Sequence, residues 1–108
     1  LALDTFNCNG HTTTSDALWA GLPVLTKIGE SFSARVSASL LTSLGIPELI
    51  TNNEKEYEEK AIQIAKNPDI LKNLKSKVIT LRNKSPLFNS ELFTKNLESK
   101  FQELVNYI

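Results

Sequence analysis

The stretch Cys8-Asn9-Gly10-His11-Thr12-Thr13-Thr14-Ser15-Asp16-Ala17-Leu18-Trp19-Ala20-Gly21 decides how this chain reads. It sets a small-residue turn, three successive threonines, the only histidine and the only tryptophan between two apolar runs. Before it, Leu1-Ala2-Leu3-Asp4 reads as the end of a strand buried on both faces. After it, Leu22-Pro23-Val24-Leu25-Thr26 reads as the next strand, and Gly21 stops the helix between them. A strand, a polar turn and a helix N-terminus together suit an anion. The first-turn N–H groups have no partner within the helix, and the helix dipole favours negative charge there. The same residues also suit a plain structural role, with Thr12, Thr13, Thr14 and Ser15 as competing N-caps and Asp16 as a first-turn acid. Local pattern leaves both readings open.

Working outward, Pro23 sits where a strand tolerates a missing N–H, at its first residue. Lys27, Ile28, Gly29 and Glu30 form the loop at that strand's carboxyl end, where open α/β sheets place ligands, so this loop should face the same crevice as Gly10 and His11. Lys27 reads as a solvated lysine, with phosphate neutralisation as its alternative. Ser31 is expected to cap a helix whose stripe is Phe32, Val36, Leu40 and Leu44. Arg35 lies off that stripe and should pair with a carboxylate, with reaching a ligand as its alternative. Gly45 ends the helix, and Pro47 keeps it from resuming. Glu48-Leu49-Ile50 reads as a third strand. The order β-α-β-α-β favours a parallel, Rossmann-like α/β unit over residues 1–51.

Residues 52–108 read as C-terminal helices packing on that same unit, one domain in all. Asn52 or Asn53 caps the first, with Glu54, Glu56, Glu58 and Glu59 crowding its positive end and Tyr57, Ala61 and Ile64 forming its apolar face. Asn67 and Pro68 stop it and start the next, which buries Leu71, Leu74, Val78 and Leu81. Lys72, Lys75, Lys77, Arg82 and Lys84 then make a basic outer face, read as solvated because no aromatic residues interleave with it. Ser85-Pro86 turns the chain, and Asn89 caps a last helix with the stripe Phe93, Leu97, Phe101, Leu104 and Ile108. Trp19 is expected to pack on the sheet or a neighbouring helix rather than to stack on a base.

Twelve basic and twelve acidic side chains cancel, so no global field draws the chain to nucleic acid or a membrane. No apolar run is long enough to cross a bilayer. A single cysteine excludes an internal disulfide and fits a reducing compartment, the cytoplasm. The chain has no methionine and opens directly on a strand, which reads as a piece of a longer protein.

The string Cys8-Asn9-Gly10-His11-Thr12-Thr13, continued by Asp16-Ala17-Leu18-Trp19-Ala20-Gly21-Leu22-Pro23-Val24, resembles the nucleotide-sugar-binding segment of the protein O-GlcNAc transferase family, the SPINDLY-like transferases. The likeness continues through Gly29-Glu30, Ser33-Ala34-Arg35-Val36, Leu44-Gly45, Glu48-Leu49-Ile50, Tyr57-Glu58 and Ser85-Pro86-Leu87-Phe88-Asn89. It implies part of a Rossmann-like nucleotide-binding domain in a GT-B type glycosyltransferase. It further implies inverting, metal-independent transfer of N-acetylglucosamine from UDP-GlcNAc to protein Ser or Thr hydroxyls, with no cofactor. Carried over position by position, Thr12 and Thr13 donate to the phosphates, beside Gly10 in the turn. His11 contacts the phosphate or the sugar-uridine region, Asp16 accepts from the ribose hydroxyls, and Cys8 lies near the sugar's N-acyl group.

The partners so implied are a nucleotide sugar and an acceptor protein, with no nucleic acid and no membrane. The family's acceptor-side domain, its TPR superhelix, its catalytic lysine and its candidate base histidines fall upstream, so no catalytic residue is expected here and the piece alone should be inactive. Thr14 and Ser15 depart from the Gly and larger apolar residue frequent in relatives. Two alternatives stand beside this reading: the same architecture with another donor such as GDP-fucose, and a non-catalytic interaction scaffold.

Overall fold

In the computed structural model, which describes residues 1–107, the expected alternation of strands and helices is present. Strand β1 (Ala2–Leu3) leads into helix α1 (Thr12–Trp19), then β2 (Val24–Lys27), α2 (Val36–Leu44) and β3 (Ile50–Thr51). The three strands are parallel in the order β1-β2-β3. Ala2 pairs with Val24 and Leu3 with Leu25, while Thr26 pairs with Ile50 and Lys27 with Thr51. The two outer strands thus use opposite halves of β2, which is buried along Val24, Leu25 and Thr26.

Helix α1 ends as its glycine requires. Gly21 has φ +89°, its N–H bonds to Leu18 O, and the next N–H, of Leu22, reaches back to Ala17 O. That closure satisfies the last carbonyls, and only glycine takes the left-handed conformation without strain. A Cβ there would also lie 2.9 Å from Ile79, so helix α4 (Pro68–Arg82) approaches over the glycine.

The core lies between the sheet and its helices, built on Leu18, Leu25, Leu41, Leu44, Ile64 and Val78. Each is under 2% exposed. Truncating any one to alanine is expected to cost about 2–5 kcal/mol, because packed interiors relax only partly around a void. Helix α3 (Glu54–Lys66) contributes Ile64 with half-buried Tyr57 and Ala61, the face its spacing implied. Its cap is Asn53, whose Oδ1 accepts from Glu56 N–H at 2.9 Å, while Glu56 returns a carboxylate oxygen to Asn52 N–H at 2.8 Å. Helix α4 (Pro68–Arg82) buries Leu74 and Val78. Asn67 joins the two helices, but its side chain turns back to donate to Gln63 O instead of capping α4.

Several sequence expectations shift. Leu3 is 59% exposed, since β1 is an edge here and only one of its faces meets the core. The third strand begins two residues late, because Pro47–Leu49 close a 3-10 turn first. The stripe assigned to α2 is rotated. Ala34, Ser37, Ala38, Leu41 and Leu44 face inward, and Phe32 stays out on a separate 3-10 turn (Phe32–Ala34). A side-chain cap from Ser31 is absent. The basic face of α4 is partly engaged, with Lys77 on Glu48 and the Arg82 guanidinium donating to Trp19 O at 2.8 Å. Trp19 packs edge-on against Phe88 at 5.1 Å beneath that guanidinium, a packing role.

Residues 52–108 also divide. Helices α3 and α4 cover the sheet, whereas α5 (Ser90–Tyr107) has no buried residue. Phe93, Leu97, Phe101 and Leu104 stand uncovered, and Ile108 lies outside the described residues. Asn89 does cap α5, accepting from Leu92 N–H at 3.0 Å. Among the described residues no helix is long and apolar enough to cross a membrane.

Candidate functional site

The loop from Thr5 to His11 leaves the carboxyl end of β1 and delivers the chain to α1. Two buried polar side chains set its path. Asp4, at the strand's end, accepts the Gly10 N–H on one carboxylate oxygen at 2.9 Å and the Thr26 hydroxyl on the other at 2.8 Å. Thr26 O in turn accepts from the Thr51 hydroxyl at 2.8 Å, and the Tyr57 hydroxyl donates to Asp4 O at 3.0 Å. A polar line therefore crosses all three strands and ends on Gly10.

Asn9 is the second anchor, 3% exposed. Its amide donates to Thr5 O at 2.8 Å and Phe6 O at 3.1 Å, and its Oδ1 accepts from Ser37 N–H at 3.1 Å. That last bond caps the first turn of α2 from outside the helix, a turn that otherwise lacks a side-chain cap. Ser37 answers with its hydroxyl, which reaches Gly10 O at 3.3 Å and Thr14 Oγ1 at 3.1 Å. The starts of α1 and α2 are thereby locked to one loop.

Gly10 is required by close approach. A Cβ built on it would come within 2.5 Å of both Thr13 Oγ1 and Thr14 Oγ1. His11 takes the N-cap position of α1 without a side-chain cap bond, so the cap is not one of the threonines or Ser15. The first intrahelical bond is Ser15 N–H to His11 O at 3.1 Å, which leaves the amides of Thr12, Thr13 and Thr14 ahead of the ladder. Unpaired N–H groups and the positive end of the dipole make that turn a favourable seat for an anion. His11, Thr12, Thr13 and Asp16 are exposed around it, as is Cys8, a free thiol. Asp16 falls in the second turn, not the first. Thr14 differs from its neighbours, being 4% exposed and committed to Ser37.

The loop after β2 adjoins this one, as its position in the sheet implied. Asn9 N–H bonds to Ser33 O at 2.8 Å, and the Ser33 hydroxyl donates to Asn7 O at 3.0 Å. Two charged residues there are engaged within the fold. Lys27 lies over the Phe6 ring at 4.5 Å and within 3.9 Å of Glu54. Arg35 donates to Gly29 O at 2.8 Å, closing the turn on a carbonyl rather than a carboxylate. A hollow of about 230 Å³ opens between β1 and α1, walled in part by Asp4, Thr5, Gly10 and Thr13. A larger one, about 430 Å³, lies at the other sheet edge among Glu48, Glu56, Glu59 and Lys60, where three carboxylates against one ammonium disfavour an anion. Among the described residues no three His, Cys, Asp or Glu side chains group closely enough to hold a metal ion.

The profile of glycosyl transferase family 41 matches residues 1–97, nearly the whole chain. The chain belongs to glycosyl transferase family 41. A UDP-N-acetylglucosamine–peptide N-acetylglucosaminyltransferase of Caenorhabditis elegans is 40% identical over 98 residues, covering 91% of this chain and 8% of that one. A probable transferase of the same description from Arabidopsis thaliana, SEC, is 41% identical over 105 residues, 96% of this chain and 11% of that one. The solved O-GlcNAc transferase of Thermobaculum terrenum, as a mutant, superposes with a TM-score of 0.86 at 30% identity, over 95% of this chain and 20% of that one. This family 41 chain thus spans about a tenth of the curated relatives it matches. Its fold is the Rossmann-like α/β unit of a GT-B type glycosyltransferase.

Within this family 41 unit the sequence pattern found the loop but passed over what shapes it. Asp4 reads as a strand end and Asn9 as a turn residue. The available signal was an acid and an amide flanking a glycine turn between two apolar strands, positions where buried polar groups must find partners.

Proposed function

We propose that this chain is the donor-binding part of an inverting glycosyltransferase, which moves N-acetylglucosamine from UDP-GlcNAc to Ser or Thr hydroxyls of an acceptor protein. The observation that carries the reading is the start of α1, where the amides of Thr12, Thr13 and Thr14 precede the first helical bond beside exposed His11. Membership of family 41 and the names of the relatives support the donor's identity.

On this reading the diphosphate sits at the amino end of α1. Amides and the Thr12 and Thr13 hydroxyls stabilise the charge that grows on the departing UDP, work a metal ion does in other transferases. Fixed donors act strongly there because they need no reorganisation as the bond breaks. Asp16, one turn further along, serves the ribose hydroxyls, and Cys8 borders the N-acyl group. Gly10 lets the backbone come close, held in place by Asp4. The site for the acceptor protein and the proton acceptor for its hydroxyl belong to other parts of the enzyme, which works in the cytoplasm without metal or cofactor.

The test is a titration of the chain with UDP and with GDP, followed on the amide resonances of Gly10 to Ser15. Shifts with UDP in preference to GDP, weakened by Thr13→Ala and Asp16→Ala, support the reading. A preference for GDP moves the donor toward a GDP-sugar such as GDP-fucose. A folded chain that responds to neither overturns the donor-site assignment and leaves the scaffold reading ahead.

A further inference from the structure

Phe32 is 83% exposed, among the described residues the most open large apolar side chain after Tyr107. A ring left in water adds little to folding. Its ring lies near-parallel to His11, with centroids 6.4 Å apart and planes at 27°. The separation is within the range in which aromatic pairs attract.

The segment carrying Phe32 is held firmly. Ala34 N–H bonds to Ser31 O and Arg35 N–H to Phe32 O, each at 3.1 Å, and Gly29 N–H bonds to Ala34 O at 2.9 Å. The Arg35 guanidinium fastens on Gly29 O. Ser33 joins this turn to the His11 loop through Asn9 N–H and Asn7 O. His11, by contrast, has no side-chain cap bond to fix its ring. An aromatic side chain on a firmly held turn thus stands beside a histidine that lacks a hydrogen-bonded tether of its own.

We infer that Phe32 is a positioning residue: it sets the orientation of the His11 imidazole at the amino end of α1, so that the ring is presented to the diphosphate of the nucleotide sugar. The inference rests on the donor-loop reading above. Phe32 itself need not touch the nucleotide. Stacking removes rotamers that His11 would otherwise lose on binding, so the gain is in affinity through preorganisation.

The test uses the isotope-labelled chain and three variants. Phe32→Leu keeps an apolar side chain without a ring, Phe32→Tyr keeps the ring, and His11→Ala removes the group being positioned. In Phe32→Leu the His11 ring protons are expected to lose their ring-current shift and UDP affinity to fall about two- to tenfold, the worth of one aromatic pair. Phe32→Tyr should restore both. Unchanged amide spectra for β2 and α2 show that the fold is intact. Unmoved His11 ring resonances in Phe32→Leu overturn the inference. So does unchanged UDP affinity in Phe32→Leu when His11→Ala weakens it, and in that case the donor-loop reading stands. A folded wild-type chain that binds no UDP, or binding that His11→Ala leaves untouched, removes the role of His11 and this inference with it.

Discussion

One oxygen of the Asp4 carboxylate accepts the Gly10 N–H at 2.9 Å, six residues on, while the other accepts the Thr26 hydroxyl from the neighbouring strand. A strand end and a site loop are thereby joined through one buried side chain. The Thr26–Thr51 bond extends the same line to the far strand. Removing one partner of such a line leaves the others desolvated and unpaired, which costs more than the bond itself.

Asp4→Ala should therefore lower stability by about 2–3 kcal/mol, whereas Asp4→Asn, which keeps an acceptor for Gly10, should cost about 1 kcal/mol. Urea unfolding at neutral pH measures both. A loss under about 0.5 kcal/mol in Asp4→Ala, the size of an ordinary surface change, would show that the loop holds its path without the carboxylate.

Gly10→Ala puts a methyl against Thr13 Oγ1 and Thr14 Oγ1, both 2.5 Å from where it would lie. Overpacking of this kind costs about 1–3 kcal/mol. Thr14→Ala alone removes the bond to Ser37 and should cost about 1 kcal/mol. Because Thr14→Ala also clears half of the clash, the double variant should be less unstable than the sum of the singles. Strict additivity in a double-mutant cycle would refute the shared contact.

The sequence carried the alternation of strands and helices because Gly21, Gly45, Pro23 and Asn53 act locally: each stops, starts or caps an element through its own backbone chemistry. The inward face of α2 was not legible. Ser37 and Ala38 are small or polar, yet both are buried, Ser37 bonded to the loop and to α1, while apolar Phe32 is left outside. Periodicity weighs side chains by apolarity and cannot see a polar group that is buried with its partners. The candidate residues of the loop were found as a string. Their anchors, Asp4 and Asn9, depend on contacts 22 and 28 positions away, to Thr26 and Ser37, which no local pattern contains.

The Glu48–Lys77 pair joins the turn before β3 to α4. Burial pushes the Glu48 carboxyl up, but the Lys77 hydrogen bond, its own backbone N–H and the Lys77 and Lys60 charges outweigh it, so it titrates below 4.5. A depressed carboxyl stabilises the fold above its unfolded pKa, and the contribution is lost as pH falls through the folded value. Both side chains are more than a third exposed, so solvent screens the pair and holds it to about 0.2–1 kcal/mol. Glu48→Gln should show that difference from wild type at pH 7 and none well below pH 4, where both chains carry a neutral group. A gap that persists in acid would assign the effect to packing.

Tyr57 gives the opposite pH dependence. Burial first, then the Asp4 charge, push its hydroxyl above 10.0. A raised pKa means the folded state holds its proton more tightly, so the stabilisation is complete below 10.0 and declines as pH rises through the folded value. Tyr57→Phe should cost about 1 kcal/mol at neutral pH by removing the bond to Asp4 O, and should flatten the alkaline part of the stability profile. An equally steep alkaline loss in the variant would point to other groups.

Helix α5 contributes no buried residue, and its apolar stripe stands in solvent, with Phe93 65% and Leu104 62% exposed. The core that fixes the site loop is complete before it begins, in α1, β2, α2, α3 and α4. A chain ending at Asn89 should therefore keep the amide spectrum of residues 1–85 and melt within about 4 °C of the full chain, a change of about 0.5 kcal/mol for a domain of this size. The contact of α5 with the turn Pro86–Phe88 is local and should fray without reaching Trp19, which is held by Arg82 as well as Phe88. A fall of about 10 °C or more would mean that α5 supports the core through that turn, and that the helices after residue 52 stabilise the sheet as one unit.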